Sequence, residues 1–250
     1  MKIDRRRFAG TLAGLAAAQS GRSAPGDDRA HWFLLETFQL RQGDQVTRMH
    51  DYLKAWLPTV SKSVAGPKLV LEALIAPHTP QLLAMIGVAN FEDLRTAQAT
   101  VTSSLTALGT GEPLFDTLNT TILEAAAYSP EISAGKSEKP RYFELRTYHA
   151  PTMAQLIALH QRFAGPEVRV FHRSGIFPLF YSSTLVGANM PNLTYLIPFD
   201  SLAAREKAWN AFSADPDWIK ARNESIDKFG QIVSVSNIAI YRATPYSPIS

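Results

Sequence analysis

The chain has 250 residues, of which 46% are apolar and 19% charged, and its formal net charge is +3. That composition is enough for one or two packed cores and excludes the disordered and fibrous classes. The absence of cysteine excludes a disulfide framework, a thiolate metal site and a thiol nucleophile.

At the start of the chain, Arg5-Arg6-Arg7-Phe8 precedes an apolar stretch from Ala9 to Ala18. That stretch is too short to cross a bilayer of about 30 Å at about 1.5 Å per residue. The pair Arg5-Arg6 with Phe8 resembles the twin-arginine signal of bacterial export, and the small residues from Ala16 to Ser23 suit a signal peptidase. Residues 1–24 are therefore expected to be a removable export signal. The mature protein would then be periplasmic or otherwise extracytoplasmic, with no stable membrane span. The signal holds Lys2, Arg5, Arg6, Arg7 and Arg22 against a single Asp4, so the rest of the chain is close to neutral. No basic run remains to displace counterions from a phosphate backbone, and nucleic acid is not an expected partner.

Residues 31–130 form a first unit. The pattern predicts a strand over 33–38, then a helix with Val46, Met49, Leu53, Leu57 and Val60 near 3.6-residue spacing, ended by Gly66-Pro67. Strands at 69–75 and 82–88 flank the turn Pro77-His78-Thr79-Pro80. Asn90 caps a second helix running through Leu94, a Thr- and Gly-containing region spans 100–111, and a closing strand runs over 121–127 to Tyr128-Ser-Pro130. The order strand, helix, strand, strand, helix, strand is a ferredoxin-like βαββαβ unit.

After a linker at 131–140, rich in Ser, Gly, Lys, Glu and Pro, the order repeats over 141–246. Strands are expected at 142–148, 177–186, 193–199 and 233–242, and helices at 153–163 and 201–212. Asp200-Ser201 is a plausible N-cap, and Asp215-Pro216 with Trp218 marks a second helix start. The repetition is also literal. His31-Trp-Phe-Leu-Leu-Glu-Thr-Phe38 returns as Arg141-Tyr-Phe-Glu-Leu-Arg-Thr-Tyr148, an offset of 110 that also brings Met49-His50 onto Leu159-His160. Such a period is far too long for a solenoid and suits a duplicated small domain packed as a pseudo-dimer.

The run Tyr142-Phe-Glu-Leu-Arg-Thr-Tyr148, the strand around Phe180, Asp200-Ser-Leu-Ala-Ala-Arg205-Glu and Asp215-Pro-Asp-Trp218 together resemble the NIPSNAP family over nearly the whole second half. The first half resembles it less: Glu-Leu-Arg becomes Leu-Leu-Glu, and no Asp-Pro-x-Trp is visible. The resemblance implies an α+β fold in which two ferredoxin-like repeats form an intrachain dimeric α+β barrel. It implies no settled activity.

Alternation along the repeated strand places Trp32, Leu34, Glu36 and Phe38 on one face, matched by Tyr142, Glu144, Arg146 and Tyr148. The opposite face carries Phe33, Leu35, Phe143 and Leu145, and an apolar face is what covering helices need. The mixed face is therefore expected to point into the barrel, with Arg146 pairing either Glu144 or Glu36, since an unpaired buried charge is costly. A sheet-stabilising ion pair and a substrate anchor both fit these charges.

His50 and His160 occupy equivalent places on the first helix of each unit, which favours structural roles over a ligand pair. His172, in Phe171-His-Arg-Ser-Gly175, could stand at the barrel mouth. Candidate catalytic residues are thus His172, Arg146 and Glu144, and candidate ligand-pocket residues Glu36, Tyr148, Tyr181, His160 and His50. There is no HExxH, no GxSxG, no P-loop and no dinucleotide fingerprint in context, nor any metal-ligand spacing, so no cofactor is expected.

Three readings follow: a NIPSNAP-like module holding a small apolar or carbonyl ligand, or a protein partner, in the barrel; a cofactor-independent monooxygenase or isomerase; and, least favoured, a haem protein. In the second, Arg146 would stabilise an enolate with His172 or Glu144 as base. A homo-oligomer is possible in all three.

Overall fold

The computed structural model describes residues 29–132 and 141–250; the expected export signal at 1–24 and most of the expected linker lie outside them. The first half runs β1 (Trp32–Gln39), α1 (Asp44–Ser63), β2 (Lys68–Ile75), β3 (Gln81–Val88), α2 (Phe91–Thr106) and β4 (Thr117–Ala125). The second runs β5 (Tyr142–His149), α3 (Met153–Arg162), a wide helical turn (Phe163–Glu167), α4 (Val168–Arg173), β6 (Phe180–Val186), β7 (Asn192–Phe199), α5 (Leu202–Ala214), α6 (Pro216–Phe229) and β8 (Val235–Ala243).

The N-caps expected from sequence form as read. Asn90 accepts from the Asp93 amide at 2.9 Å, and Ser201 from that of Ala204 at 3.0 Å. Two boundaries differ by more than three residues. The region from Thr100 is helical as far as Thr106, because Ala97 and Val101 continue the buried face begun by Leu94. The closing strand starts four residues early, at Thr117, where it meets Gln39 at the end of β1.

The eight strands form one closed antiparallel barrel in the order β1-β3-β2-β8-β5-β7-β6-β4. Each half contributes four neighbouring strands, and closure leaves no sheet edge unpaired. The seams between halves, β2 with β8 and β4 with β6, both contain register shifts.

The barrel interior takes the Phe/Leu face, which reverses the facing expected from sequence. Phe33, Leu35, Leu69, Leu71, Leu83, Met85, Phe143, Phe180 and Leu196 pack together there, with Phe33 stacked on Phe180 at 4.4 Å. Leu34 and Phe38 instead lie under α1 and α2, and Tyr148, Tyr181 and Tyr195 under the second helical layer. Alternation separates two faces correctly but leaves open which of them looks inward. A small closed barrel has to be filled by side chains, so it claims the face of Phe33, Leu35, Phe143 and Leu145, with Ser182, Thr184, Asn192 and Thr194 hydrogen-bonded on the same face of β6 and β7. The helical layers then accommodate the charges of Glu36, Glu144 and Arg146.

The two halves also exchange their tails. Tyr128, just after β4, meets His160 Nδ1 of α3 at 2.9 Å, and Ser129 Oγ accepts from the Tyr181 amide at 3.0 Å. Reciprocally, Tyr246, after β8, meets His50 Nδ1 of α1 at 2.9 Å, and Ser247 Oγ accepts from the Val70 amide at 3.0 Å. Each Tyr-Ser-Pro tail thus completes the half to which it does not belong.

Candidate functional site

Strand β5 sends Glu144 up against α5, whose Ser201 cap sets a helix with Arg205 and Trp209 one turn apart on the same side. Glu144 is 1% exposed and accepts from Arg205 Nε at 2.7 Å, Arg205 Nη2 at 3.0 Å, Trp209 Nε1 at 2.8 Å and Arg146 Nη1 at 2.8 Å. Four donors saturate the carboxylate, leaving it no lone pair with which to act as a base. Arg146 is sandwiched, 4.1 Å from the Trp209 ring centroid and 5.3 Å from that of Tyr148. Burial pushes its guanidinium down, and Tyr195, Tyr148 and Glu144 together more than offset this, so it stays charged.

Position 36 in the first half matches Arg146 at the repeat offset but holds a carboxyl group. Arg146 takes Glu144 as its partner, and Glu36 instead accepts from Thr120 Oγ at 2.6 Å under α1 and α2. Burial pushes Glu36 up to about 7, against the lowering effect of that hydrogen bond.

The histidines divide clearly. His160 is held at both ring nitrogens, by Tyr128 and by Ser183 Oγ at 2.8 Å, and burial lowers it to about 4. His50 bonds Tyr246 and lies 3.7 Å from Glu72. Both are tail locks rather than pocket residues. His172 is exposed at the end of α4, stacked on Phe177 at 5.3 Å, and takes no part in the hydrogen bonds around Arg146 and Glu144. The expected trio of His172, Arg146 and Glu144 is therefore not one constellation.

A different group converges in this layer. After α3 the helix widens over Phe163–Glu167, with Gly165 at φ −90° and ψ −106° and Pro166 behind it. Such wide turns reset which side chains share a face and recur at functional sites. Here the turn buries Glu167, which accepts from Arg162 Nε at 2.8 Å. Burial raises Glu167 to about 7, and Arg162 and Arg146 pull in the opposite direction. Arg162 also donates to Ser225 Oγ at 3.2 Å and lies 4.9 Å from the centroid of Trp218. Trp218 is placed by the start of α6, where Pro216 opens the helix and Asp215 accepts from the amides of Asp217 at 2.9 Å and Trp218 at 3.2 Å.

These side chains border a surface cleft of about 230 Å³ lined by Tyr148, Arg162, Trp218, Arg222, Ile226, Ile232 and neighbours. Behind Tyr148 the layer is aromatic and polar at once. Tyr195 lies 5.3 Å from Tyr148, centroid to centroid, and 5.8 Å from Tyr181. The buried hydroxyls of Tyr181 and Tyr195 and the buried Nε of Arg146 make no hydrogen bond of ordinary geometry, an uncommon state for buried polar atoms. Of the expected pocket residues, Tyr148 lines this cleft and Tyr181 stands behind it, whereas Glu36 and His50 belong to the other half. Arg162 and Glu167 were missed by sequence reasoning. Their only signal was Gly165-Pro166 inside an otherwise helical run.

Among the described residues, no group of three His, Cys, Asp or Glu side chains is placed to hold a metal ion, and no helix is long and apolar enough to cross a membrane.

Comparison with known proteins places these residues in context. The NIPSNAP family model matches residues 143–248, which contain the whole cleft. No curated protein matches the chain. Among solved structures, an anthrone oxidase-like protein is similar with a TM-score of 0.53 and 16% identity, over 87% of this chain and 92% of that one. A candidate monooxygenase from Lactobacillus acidophilus NCFM gives 0.55 and 10% over 85% and 94%, and a mutant chlorite dismutase from Candidatus Nitrospira defluvii 0.54 and 8% over 87% and 93%. At these identities the likeness is one of fold, a shared antiparallel α+β barrel with outer helices. Residues 143–248 of this chain carry the match to the NIPSNAP family.

Proposed function

We propose that the NIPSNAP half binds a small, flat organic molecule in the cleft over Tyr148 and Trp218. The observation that carries this reading is Arg162, which reaches the cleft from a buried pair with Glu167 and is braced against the Trp218 ring. Buried polar groups converging on a partly apolar cleft are the usual mark of a ligand site. In the same reading the chain is two ferredoxin-like repeats, the first a diverged copy that closes the barrel and lends its Tyr128-Ser129 tail. The protein is exported after loss of residues 1–24, and pairing of two such chains would be seen in its native mass.

The test is tryptophan emission during titration with 2-acetonaphthone, a bicyclic aromatic ketone. Saturable quenching in the wild type that disappears in Trp218→Phe supports the cleft; equal quenching in both proteins places binding elsewhere. Native mass spectrometry of the exported protein reads the mature start, expected between residues 19 and 25, and the subunit count together.

A second reading, a cofactor-independent monooxygenase or isomerase, draws support from Glu167. A carboxyl group held at about 7 behind the cleft is poised to exchange a proton near neutral pH. Loss of a proton next to a substrate carbonyl would leave an enolate oxygen for Arg162 to stabilise. An isomerase returns the proton to another carbon; a monooxygenase passes the electrons to dioxygen. Two fold relatives are an anthrone oxidase-like protein and a candidate monooxygenase, which makes a two-ring ketone with an acidic benzylic methylene, 2-tetralone, with dioxygen the first mixture to try. Oxygen uptake that falls in Glu167→Gln would establish this reading, and no uptake would leave binding alone.

A further inference from the structure

The cleft is unlike the surface around it in charge. Its lining includes two guanidinium groups, Arg162 and Arg222, and no carboxylate, while Ile226, Ile232, Tyr148 and Trp218 supply apolar and aromatic surface. Arg162 is 8% exposed, and Glu167 and Ser225 engage its Nε and Nη1. That places its remaining Nη2 edge, rather than the whole group, toward a ligand. Arg222 is exposed on α6 and has only long contacts, 3.4 Å from Nε and Nη2 to Asn223 Oδ1. No carboxylate pairs with it, and it stands at the edge of the cleft. A cleft of about 230 Å³ is smaller than the roughly 300 Å³ at which sites for drug-sized ligands begin, which limits the occupant to one or two fused rings.

We infer that the cleft selects a flat aromatic anion, a carboxylate or an enolate carried on one or two fused rings, whose ring lies against Trp218 and Tyr148 and whose oxygens face Arg162 and Arg222. This rests on the cleft being the binding site, as proposed above, and adds the ligand's charge and size. Arg222 faces no carboxylate across the cleft, and Arg162, although paired with Glu167, keeps its Nη2 without a partner; together they attract an anion and offer donors to two oxygens, whereas a neutral ring gains chiefly the apolar contacts.

The experiment compares 2-naphthoate with 2-naphthamide, which share shape and ring but differ in charge, by titration against tryptophan emission at low salt. Wild type is expected to bind naphthoate at least tenfold more tightly than naphthamide, with both signals lost in Trp218→Phe. Arg222→Gln lies on the surface and should fold normally; it is expected to weaken naphthoate about threefold and leave naphthamide unchanged. Raising salt should erode the preference for the anion. Equal affinity for the two probes, quenched through Trp218, overturns the inference while leaving the cleft as a site. Binding of neither probe, or binding indifferent to Trp218, overturns the inference together with the reading beneath it. A naphthoate preference that Arg222→Gln and salt leave intact also overturns it, because the selectivity would then have another origin.

Discussion

Tyr128 and His160 are joined at 2.9 Å across the boundary between the halves, and Tyr246 and His50 repeat the contact at 2.9 Å in the opposite direction. A hydrogen bond of this kind contributes about 1 kcal/mol net, and more is lost when a buried partner is left unsatisfied. Tyr128→Phe is therefore expected to lower unfolding free energy by about 1 to 2 kcal/mol, since His160 lies in the buried layer. Tyr246→Phe should cost about 1 kcal/mol. Urea denaturation followed by circular dichroism checks both values.

The charge cluster on β5 predicts a larger loss. Glu144 neutralises Arg146 and Arg205 and also accepts from Trp209, so Glu144→Ala leaves two cations and an indole donor without their acceptor. Breaking a buried pair in this way costs about 3 to 5 kcal/mol. The same titration should show Arg205→Ala to be milder, because that side chain is partly exposed and Arg146 still holds the carboxylate.

Glu36 makes stability depend on pH. Its carboxyl sits at about 7 when folded against 4.5 otherwise, so between those values the folded chain holds the extra proton and stability falls as pH rises. Glu36→Gln removes that penalty. It should be more stable than wild type at pH 8, by a gap on the order of 3 kcal/mol at most, and the gap should close by pH 4.5. Thermal melts across this range measure it.

His160 acts with the opposite sign. Burial holds it near 4, below its ordinary 6.5, so the unfolded chain takes up the proton first and stability falls as pH drops from 6.5 toward 4. Glu167, also raised to about 7 by burial, adds to the Glu36 slope, and His160 opposes both. In Glu36→Gln combined with Glu167→Gln the His160 slope should therefore stand out between pH 6.5 and 4.5, and a flat profile there would contradict this assignment.

The fold was legible in the sequence where local chemistry decides it. Asn90, Ser201 and Asp215 mark helix starts by their own side-chain oxygens, and the 110-residue offset aligns β1 with β5 and His50 with His160. What could not be read was which way a face turns. Phe33 and Leu34 are equally buried, and only closure of the eight strands sends the first inward and the second under α1. The same holds for the site. Arg162 and Glu167 are five residues apart, a spacing that no regular α-helix brings together on one stripe. Their pairing depends on a turn whose width follows from Gly165 and Pro166 within a crowded aromatic layer. Tyr148 is legible because its strand repeats, and Trp218 only as part of a helix start.

The crossed tails carry one more implication, for how damage travels. Tyr246 and Ser247 follow β8, yet the groups they hold are His50 on α1 and the Val70 amide on β2. Replacing both, as in Tyr246→Phe with Ser247→Ala, would thus leave the second half's own contacts in place and unfasten the other half. In hydrogen exchange, amides of the earliest helix would lose protection while α6, much nearer in sequence to the changes, kept its own.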